Sequence, residues 1–293
     1  MNGVIVVDKE KDFTSFDVVA KMRGILHQKK IGHGGTLDPQ ATGVLPVFLG
    51  NATKLCDALP DDRKTYEAGI RLGIETDTED IWGNVLRTCT PEVTEEEFRG
   101  AVLSFIGDYD QVPPMVSAKK VDGKKLYELA RAGKTVERKP VRLRIEDITI
   151  LNIDGDEAKF RVSCEKGTYI RTLSADIGRK LGCGACMTSL RRLRHGNFTL
   201  EQAHTLDEIA RFIQEGRVSE LVIPTEDVLP YPSVRTDERT DKLLHNGNKL
   251  QASDFAFLPS DAQFVKVFDS AGVFCGLYKR SEEGLLRPEK MFL

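Results

Sequence analysis

Long apolar runs are absent from this 293-residue chain: residues 3–7 and 44–50 are far below the about 18 needed to cross a bilayer and read as buried strands. A basic leader followed by a small-residue cleavage site is missing too, so export is not expected and a cytoplasmic location is. Six cysteines are too few for a disulfide scaffold, and the single C-x-x-C pair, Cys183 and Cys186, cannot close a tetrahedral zinc site. Adding His195 and Cys164 still matches no zinc spacing, so no metal is expected. Nor is there an excess of positive charge. With 42 basic and 45 acidic residues the formal charge is −3, which excludes a uniformly basic nucleic-acid coat and leaves room for a local patch only. Internal repeats and low-complexity segments are also lacking. What remains, 40% hydrophobic and 30% charged residues, is the composition of a globular protein with a core large enough for two domains or for one domain and an appendage.

Along the chain, residues 3–8 read as a strand, and Ser15 is placed to cap a helix whose apolar positions are Phe16, Val19, Met22 and Leu26. A glycine-dense loop over residues 31–42 leads into an apolar strand at 44–49, and residues 65–72 alternate as a strand with Tyr66 on one face. Thr94 and Glu97 form a capping box for a helix to about Phe105. Residues 115–144 hold ten basic and three acidic side chains, a local charge of +7. Such a run is either a polyanion site or a solvated helix face near residues 126–132 with exposed loops. Residues 141–153 and 158–164 read as paired strands, and 170–181 as a helix stopped by Gly182. Arg191, Arg192 and Arg194 form a shorter basic cluster. Residues 224–232, bounded by prolines, look like a linker to a small β-rich region with strands near 264–268, 273–278 and 285–287.

Two short segments could carry chemistry. In His33-Gly34-Gly35-Thr36-Leu37-Asp38-Pro39 the aspartate precedes a proline and follows a glycine pair, so its carboxylate is a nucleophile, a base or an Asx-turn acceptor. In Gly167-Thr168-Tyr169-Ile170-Arg171 a ring and a guanidinium stand two residues apart at a helix start. Facing Asp38, Arg171 would keep the carboxylate ionised and Tyr169 would offer a stacking surface; otherwise Tyr169 is core and Arg171 makes a surface ion pair.

These strings carry a resemblance. Gly35-Thr36-Leu37-Asp38-Pro39, followed by Ala41, Gly43, Leu45, Gly50, Ala52 and Thr53, is similar to the catalytic motif of the TruB family of tRNA pseudouridine synthases. The similarity continues through Lys64-Thr65-Tyr66, Leu72-Gly73, Thr76-Asp77-Thr78 with Asp80 and Gly83, Gln111-Val112-Pro113-Pro114, Ser117-Ala118-Lys119, Gly123, Tyr127, Ala130-Arg131, residues 167–171 and Leu190-Arg191-Arg192. It covers about residues 3–200. One departure is Lys9-Glu10-Lys11-Asp12-Phe13, where the family has lysine, proline and a glycine before Thr14-Ser15. That change is expected to affect a packing loop and not the chemistry.

The resemblance implies an α+β pseudouridine synthase fold: a central mixed or antiparallel sheet in a catalytic domain over residues 1–232, an inserted RNA-binding lid at about 111–144, and a small β-rich PUA-like RNA-binding domain at 233–293. It implies isomerisation of uridine 55 in the T-arm of tRNA to pseudouridine, with the base flipped out of the RNA at a cost of a few kcal/mol. No cofactor, guide RNA or membrane is implied, and the enzyme is expected to be a monomer. Asp38 is the implied catalytic carboxylate, attacking C1′ or C6 or removing the 2′ proton. Tyr66 is implied to stack on the flipped base and is a candidate for handling the C5 proton. Tyr169 and Leu190 line the pocket, Arg171 pairs with Asp38, and His33 holds the flipped RNA. Lys119, Lys120 and Arg131 contact the RNA backbone. The competing readings are an RNA-binding module without activity, the same chemistry on a different RNA target or in a guide-dependent relative, and a nucleoside hydrolase, which would need a second carboxyl group as acid.

Overall fold

The computed structural model describes residues 1–293 except 118, 119, 122, 132 and 135, and for 120, 121, 124, 125, 127, 130 and 131 it describes the backbone only. The chain begins β1 (Gly3–Lys9), α1 (Ser15–Leu26), β2 (Ile31–His33), β3 (Thr42–Leu49), β4 (Lys64–Leu72), β5 (Ile74–Thr76), β6 (Val85–Thr88), α2 (Glu95–Leu103) and β7 (Gly107–Gln111). It continues with β8 (Lys120–Val121), β9 (Lys124–Lys125), α3 (Leu126–Arg131), β10 (Val141–Asp154), β11 (Glu157–Cys164), α4 (Ile170–Lys180), β12 (Ala185–His195), β13 (Phe198–Thr199) and α5 (Leu206–Gln214). The last part holds β14 (Ser233–Arg235), α6 (Glu238–His245), β15 (Phe264–Phe268), β16 (Phe274–Arg280) and β17 (Leu286–Met291).

A mixed sheet in the order β1-β3-β12-β4-β11-β10-β7 forms the centre, with β2 on β3 and β13 on β12. Its pairings are antiparallel except that between β12 and β3. The two halves differ in burial for a reason visible in their sequences. In β1, Ile5 and Val7 face a core shared with α1 and α5, whereas Val4 and Val6 face a second core against Leu277 and Phe292 near the carboxyl terminus. A strand covered on both sides must be apolar at every position, hence the unbroken runs at 3–7 and 44–49. In β11, by contrast, Ala158, Phe160 and Val162 point into a third core with α2 and α4 while Glu157, Lys159 and Arg161 are exposed, which gives the alternating pattern. The small sheet β14-β15-β16-β17 encloses its own core with Leu244 of α6.

Five local readings need correction. Thr14, not Ser15, caps α1, accepting from Asp17 N in a capping box; Ser15 is buried and bonded to another segment. Phe16 is 63% exposed, and the buried stripe is Val18, Val19 and Met22, because two positions along a helix turn Phe16 about 200° away from Val18. The stretch 224–232 is not an open linker: Thr225, Val228 and Leu229 are buried, around a 3-10 turn Thr225–Val228. The glycine-dense loop also contains a short strand, β2, and the helix capped by Thr94 and Glu97 ends at Leu103 instead of near 105.

Candidate active site

The site begins where the sheet divides. Because β1 occupies one edge of β3 from Gly43 to Leu49, β2 and β12 must share the other. β2 pairs with residues 47–49 and β12 only with Thr42 and Gly43, and the loop 34–41 emerges at this handover. At Gly43, with φ +101°, a Cβ would lie 2.2 Å from the Arg192 carbonyl oxygen, so the close approach of β3 and β12 requires glycine.

A loop leaving a sheet takes backbone polar groups away from their ladder partners, and inside a protein these need others. Buried side chains supply them here. Lys9 Nζ donates to Pro39 O at 3.1 Å and to Phe13 O at 2.6 Å, and Arg192 donates from Nη2 to Gly35 O at 3.0 Å and from Nε to Val44 O at 2.6 Å. Ser15 Oγ donates to Leu37 O at 3.1 Å and accepts from Leu37 N at 2.8 Å. Gly35 has φ +64°, and a Cβ there would come within 2.8 Å of His195 Cε1. Leu37 and Ala41 are sunk in the core on either side, leaving the Asp38 carboxylate between them 46% exposed. Burial pushes the Lys9 ammonium down to about 8, with the Asp38 charge opposing the fall.

The start of α4 lies opposite. Gln111, fully buried, clamps the backbone of Tyr169 from both sides: Oε1 accepts from Tyr169 N at 2.8 Å and Nε2 donates to its carbonyl at 3.0 Å. Two residues on, Arg171 is 5% exposed and its Nε stands 3.0 Å from Asp38 Oδ2. The remaining guanidinium nitrogens donate to Thr78 O at 3.1 Å and Val116 O at 2.9 Å, and Nη1 lies 3.8 Å from Asp80 Oδ2. Asp80 in turn accepts from Thr78 Oγ1 and Trp82 N. Arg171 is therefore fixed by two chain segments, the turn of Thr78 and Asp80 and the loop at Val116, before it meets Asp38, the preorganised geometry that a charge pair at a reacting centre requires.

These groups line a cleft of about 330 Å³ together with His33, Tyr66 and Leu190. Tyr66 is buried, and burial pushes its phenol up to about 12 while the neighbouring Arg192 guanidinium pulls the other way. Burial, aided by Arg192, lowers the pKa of His33, and His33 Nδ1 has no partner among the described residues. At one end, Asp62 gathers Lys64 Nζ at 2.7 Å, Lys166 Nζ at 2.8 Å and His195 Nε2 at 2.5 Å. Burial opposes ionisation of Asp62, but these three donors hold it well below the usual carboxylate range. Burial drives His195 down to about 4, so its ring is neutral and donates from Nε2.

Asp38, His33, Tyr66, Tyr169, Leu190 and Arg171 thus come together around one cleft although they are spread over more than 150 positions. Lys119 lies outside the described residues, and Lys120 and Arg131 are described by backbone alone, in β8 and α3. Arg171 is a buried partner of Asp38 and not a surface ion pair. Sequence reasoning misses Lys9, Gln111, Asp80, Asp62, Lys64 and Arg192 as members of the site. Their signal is faint: a charged residue inside an otherwise apolar or alternating strand, as with Lys9 and Arg192.

Comparison with known proteins agrees with this geometry. The family model described as TruB family pseudouridylate synthase (N terminal domain) matches residues 23–170, and that described as tRNA pseudouridylate synthase B C-terminal domain matches 171–230. The chain is 48% identical over 307 residues to tRNA pseudouridine synthase B of Lachnoclostridium phytofermentans, covering 100% of both chains. It is 42% identical over 299 residues to the protein of that name from Clostridium perfringens (strain 13 / Type A), covering 100% of this chain and 99% of the relative. Among solved structures, a chain of a Cbf5-Nop10-Gar1 complex superposes with a TM-score of 0.76 at 29% identity, covering 99% of this chain and 85% of that one. A chain of an H/ACA RNP bound to a substrate RNA containing 2′-deoxyuridine does so with a TM-score of 0.73 at 28% identity, with the same coverage. The sheet split around Asp38 and the sequence on either side of it place this chain in the TruB family of pseudouridylate synthases.

Proposed function

We propose that this enzyme isomerises uridine 55 in the T-arm of tRNA to pseudouridine, with Asp38 as its catalytic carboxylate. The observation that carries the reading is the Asp38 carboxylate, exposed to the cleft yet fixed by the buried Arg171 beside Tyr66 and Leu190. The reaction breaks the N1–C1′ bond, forms C5–C1′, gives up the C5 proton and takes up one at N1, so no group leaves and the detached base must stay in the pocket. Asp38 starts it by attack at C1′ or C6 or by taking the 2′ proton, and Arg171 holds it ionised and aimed in each case. Tyr66 stacks on the flipped uracil; with its phenol pushed up to about 12 it rests protonated, which favours stacking and hydrogen-bond donation over service as a resting base. Tyr169 and Leu190 close the walls. The unpartnered Nδ1 of the neutral His33 is free to bond the flipped nucleotide.

Flipping costs a few kcal/mol, and stacking returns roughly 1–3 kcal/mol per base. The rest comes from phosphate contacts. We assign those to Lys119, Lys120 and Arg131 in a lid over residues 111–144 of a catalytic domain spanning 1–232, and to a PUA-like domain over 233–293. The reading includes a cytoplasmic monomer that acts on tRNA without guide RNA or cofactor. The test is tritium release from a T-arm stem-loop labelled at C5 of every uridine, comparing the natural protein with Asp38→Asn. One equivalent from the former and none from the latter is expected. Equal release by both, or release of free uracil, overturns the proposal.

A further inference from the structure

A second groove adjoins the cleft on the far side of Leu190, which lines both. Its walls come from three places: Gln40 and Lys11 beside the Asp38 loop, Trp82 from the turn between β5 and β6, and Lys159 and Arg191 from β11 and β12. Trp82 is 43% exposed, with Lys11 Nζ 5.5 Å from its ring centroid. Neither Lys11 nor Lys159 has an ion-pair partner among the described residues, whereas Arg191 Nη2 pairs with Asp8 at 2.7 Å. Glu67 is the one carboxylate among the described residues of the lining, so the groove is net positive.

Both outer walls are tied to the reacting centre. The turn bearing Lys11 is held to the Asp38 loop by Asp12 N donating to Pro39 O at 2.9 Å and by Gln40 Nε2 donating to Asp12 Oδ1 at 2.9 Å. The turn bearing Trp82 is held by Trp82 N donating to Asp80 Oδ1 at 3.2 Å, and Asp80 faces Arg171.

We propose that this groove is a binding subsite for the ribonucleotide next to the flipped uridine, with its base stacked on Trp82 and its phosphates against Lys11, Lys159 and Arg191. The inference rests on the reading of the Asp38 cleft as a site for a flipped nucleotide in RNA. An RNA strand entering that cleft has to leave it past a wall, and Leu190 leads directly into a channel with the aromatic face and unpaired cations that a single strand requires.

Trp82 is the only tryptophan of the chain, so its fluorescence reports on this groove alone. In the full-length Asp38→Asn protein, titration with an unlabelled T-arm stem-loop is expected to quench that emission saturably, at the concentrations where anisotropy of a labelled stem-loop shows binding. In the protein with Asp38 intact, Trp82→Ala is expected to raise KM about tenfold and Trp82→Phe to restore most of it. With an abasic nucleotide beside the target, the natural protein and Trp82→Ala should have the same KM. Lys11→Ala combined with Lys159→Ala should flatten log Kd against log salt by about 0.7–0.9 for each phosphate that is no longer neutralised. RNA binding with unchanged emission, or an unaltered salt slope and KM, overturns the subsite while leaving the proposed reaction standing. Absence of both tritium release and stem-loop binding in the natural protein overturns the two together.

Discussion

The central sheet and the small carboxyl-terminal sheet bury their polar groups in opposite ways. Around the loop 34–41 lie the cations Lys9, Lys64, Arg171 and Arg192, together with the neutral His195, each under 10% exposed. In the small sheet the buried interior is Val234, Leu244, Val265, Val267 and Leu286, and among the described residues Asp269 is the one buried charged group of this region. Burying an unpaired cation is expensive, whereas an apolar core of similar volume is often as stable or more so. Cations concentrated in one place therefore mark where the fold serves a purpose besides stability. The cost is offset locally, since Arg192 and Lys9 satisfy the carbonyls of Gly35 and Pro39, which the loop takes out of the sheet.

The sharpest way to break this contrast is Asp38→Asn, which removes the acceptor of the whole arrangement. It is expected to lower kcat about 10⁴-fold or more with stem-loop binding retained, as read by tritium release and anisotropy side by side. Next, Arg171→Lys preserves the charge but cannot reach Asp38, Thr78 O and Val116 O together with one ammonium group. A fall in kcat of about 10²–10³-fold is expected; a change of less than about threefold would show that preorganisation of Asp38 is unimportant.

The pH dependence of stability sharpens the contrast further. His195 titrates near 4 in the folded protein against 6.5 in the unfolded chain, so between those values the unfolded state takes up the proton first. Its contribution is full above pH 6.5 and is lost as pH falls toward 4, by about 3 kcal/mol in all. Urea midpoints measured across this window should drop more steeply for the natural protein than for His195→Asn, and parallel curves would count against the assignment. The smallest effect is expected in the other sheet. Asp237 caps α6 by accepting from Thr240 N, and Asp237→Ala should cost about 1 kcal/mol in chemical denaturation with no change in kcat.

Several features are legible without a structure for identifiable reasons. β1 and β3 announce themselves because burial on both faces forces an unbroken apolar run, and α2 because Thr94 and Glu97 satisfy its first turn locally. Asp38, Tyr66 and Arg171 are recognisable from their motifs. Asp62 is not, since its role arises only when Lys166 and His195 converge from separate segments on it and its neighbour Lys64. The linker reading of residues 224–232 fails because proline marks a turn without saying what the turn packs against.

The sequence by itself determined β1, β3, β4, β10, β11 and β15 to β17, the helices α1, α2 and α4 and the family, because period, capping and motif spacing are short-range properties written residue by residue, whereas the central strand β12 was not read from its own segment. Only the tertiary structure decided that β12 yields the edge of β3 to β2 after two residues and so opens a cleft at that point. The same holds for Lys11 and Trp82, 71 positions apart in the chain and brought within 5.5 Å. Contacts between distant segments depend on how complete elements dock, and no local pattern in either segment specifies its partner.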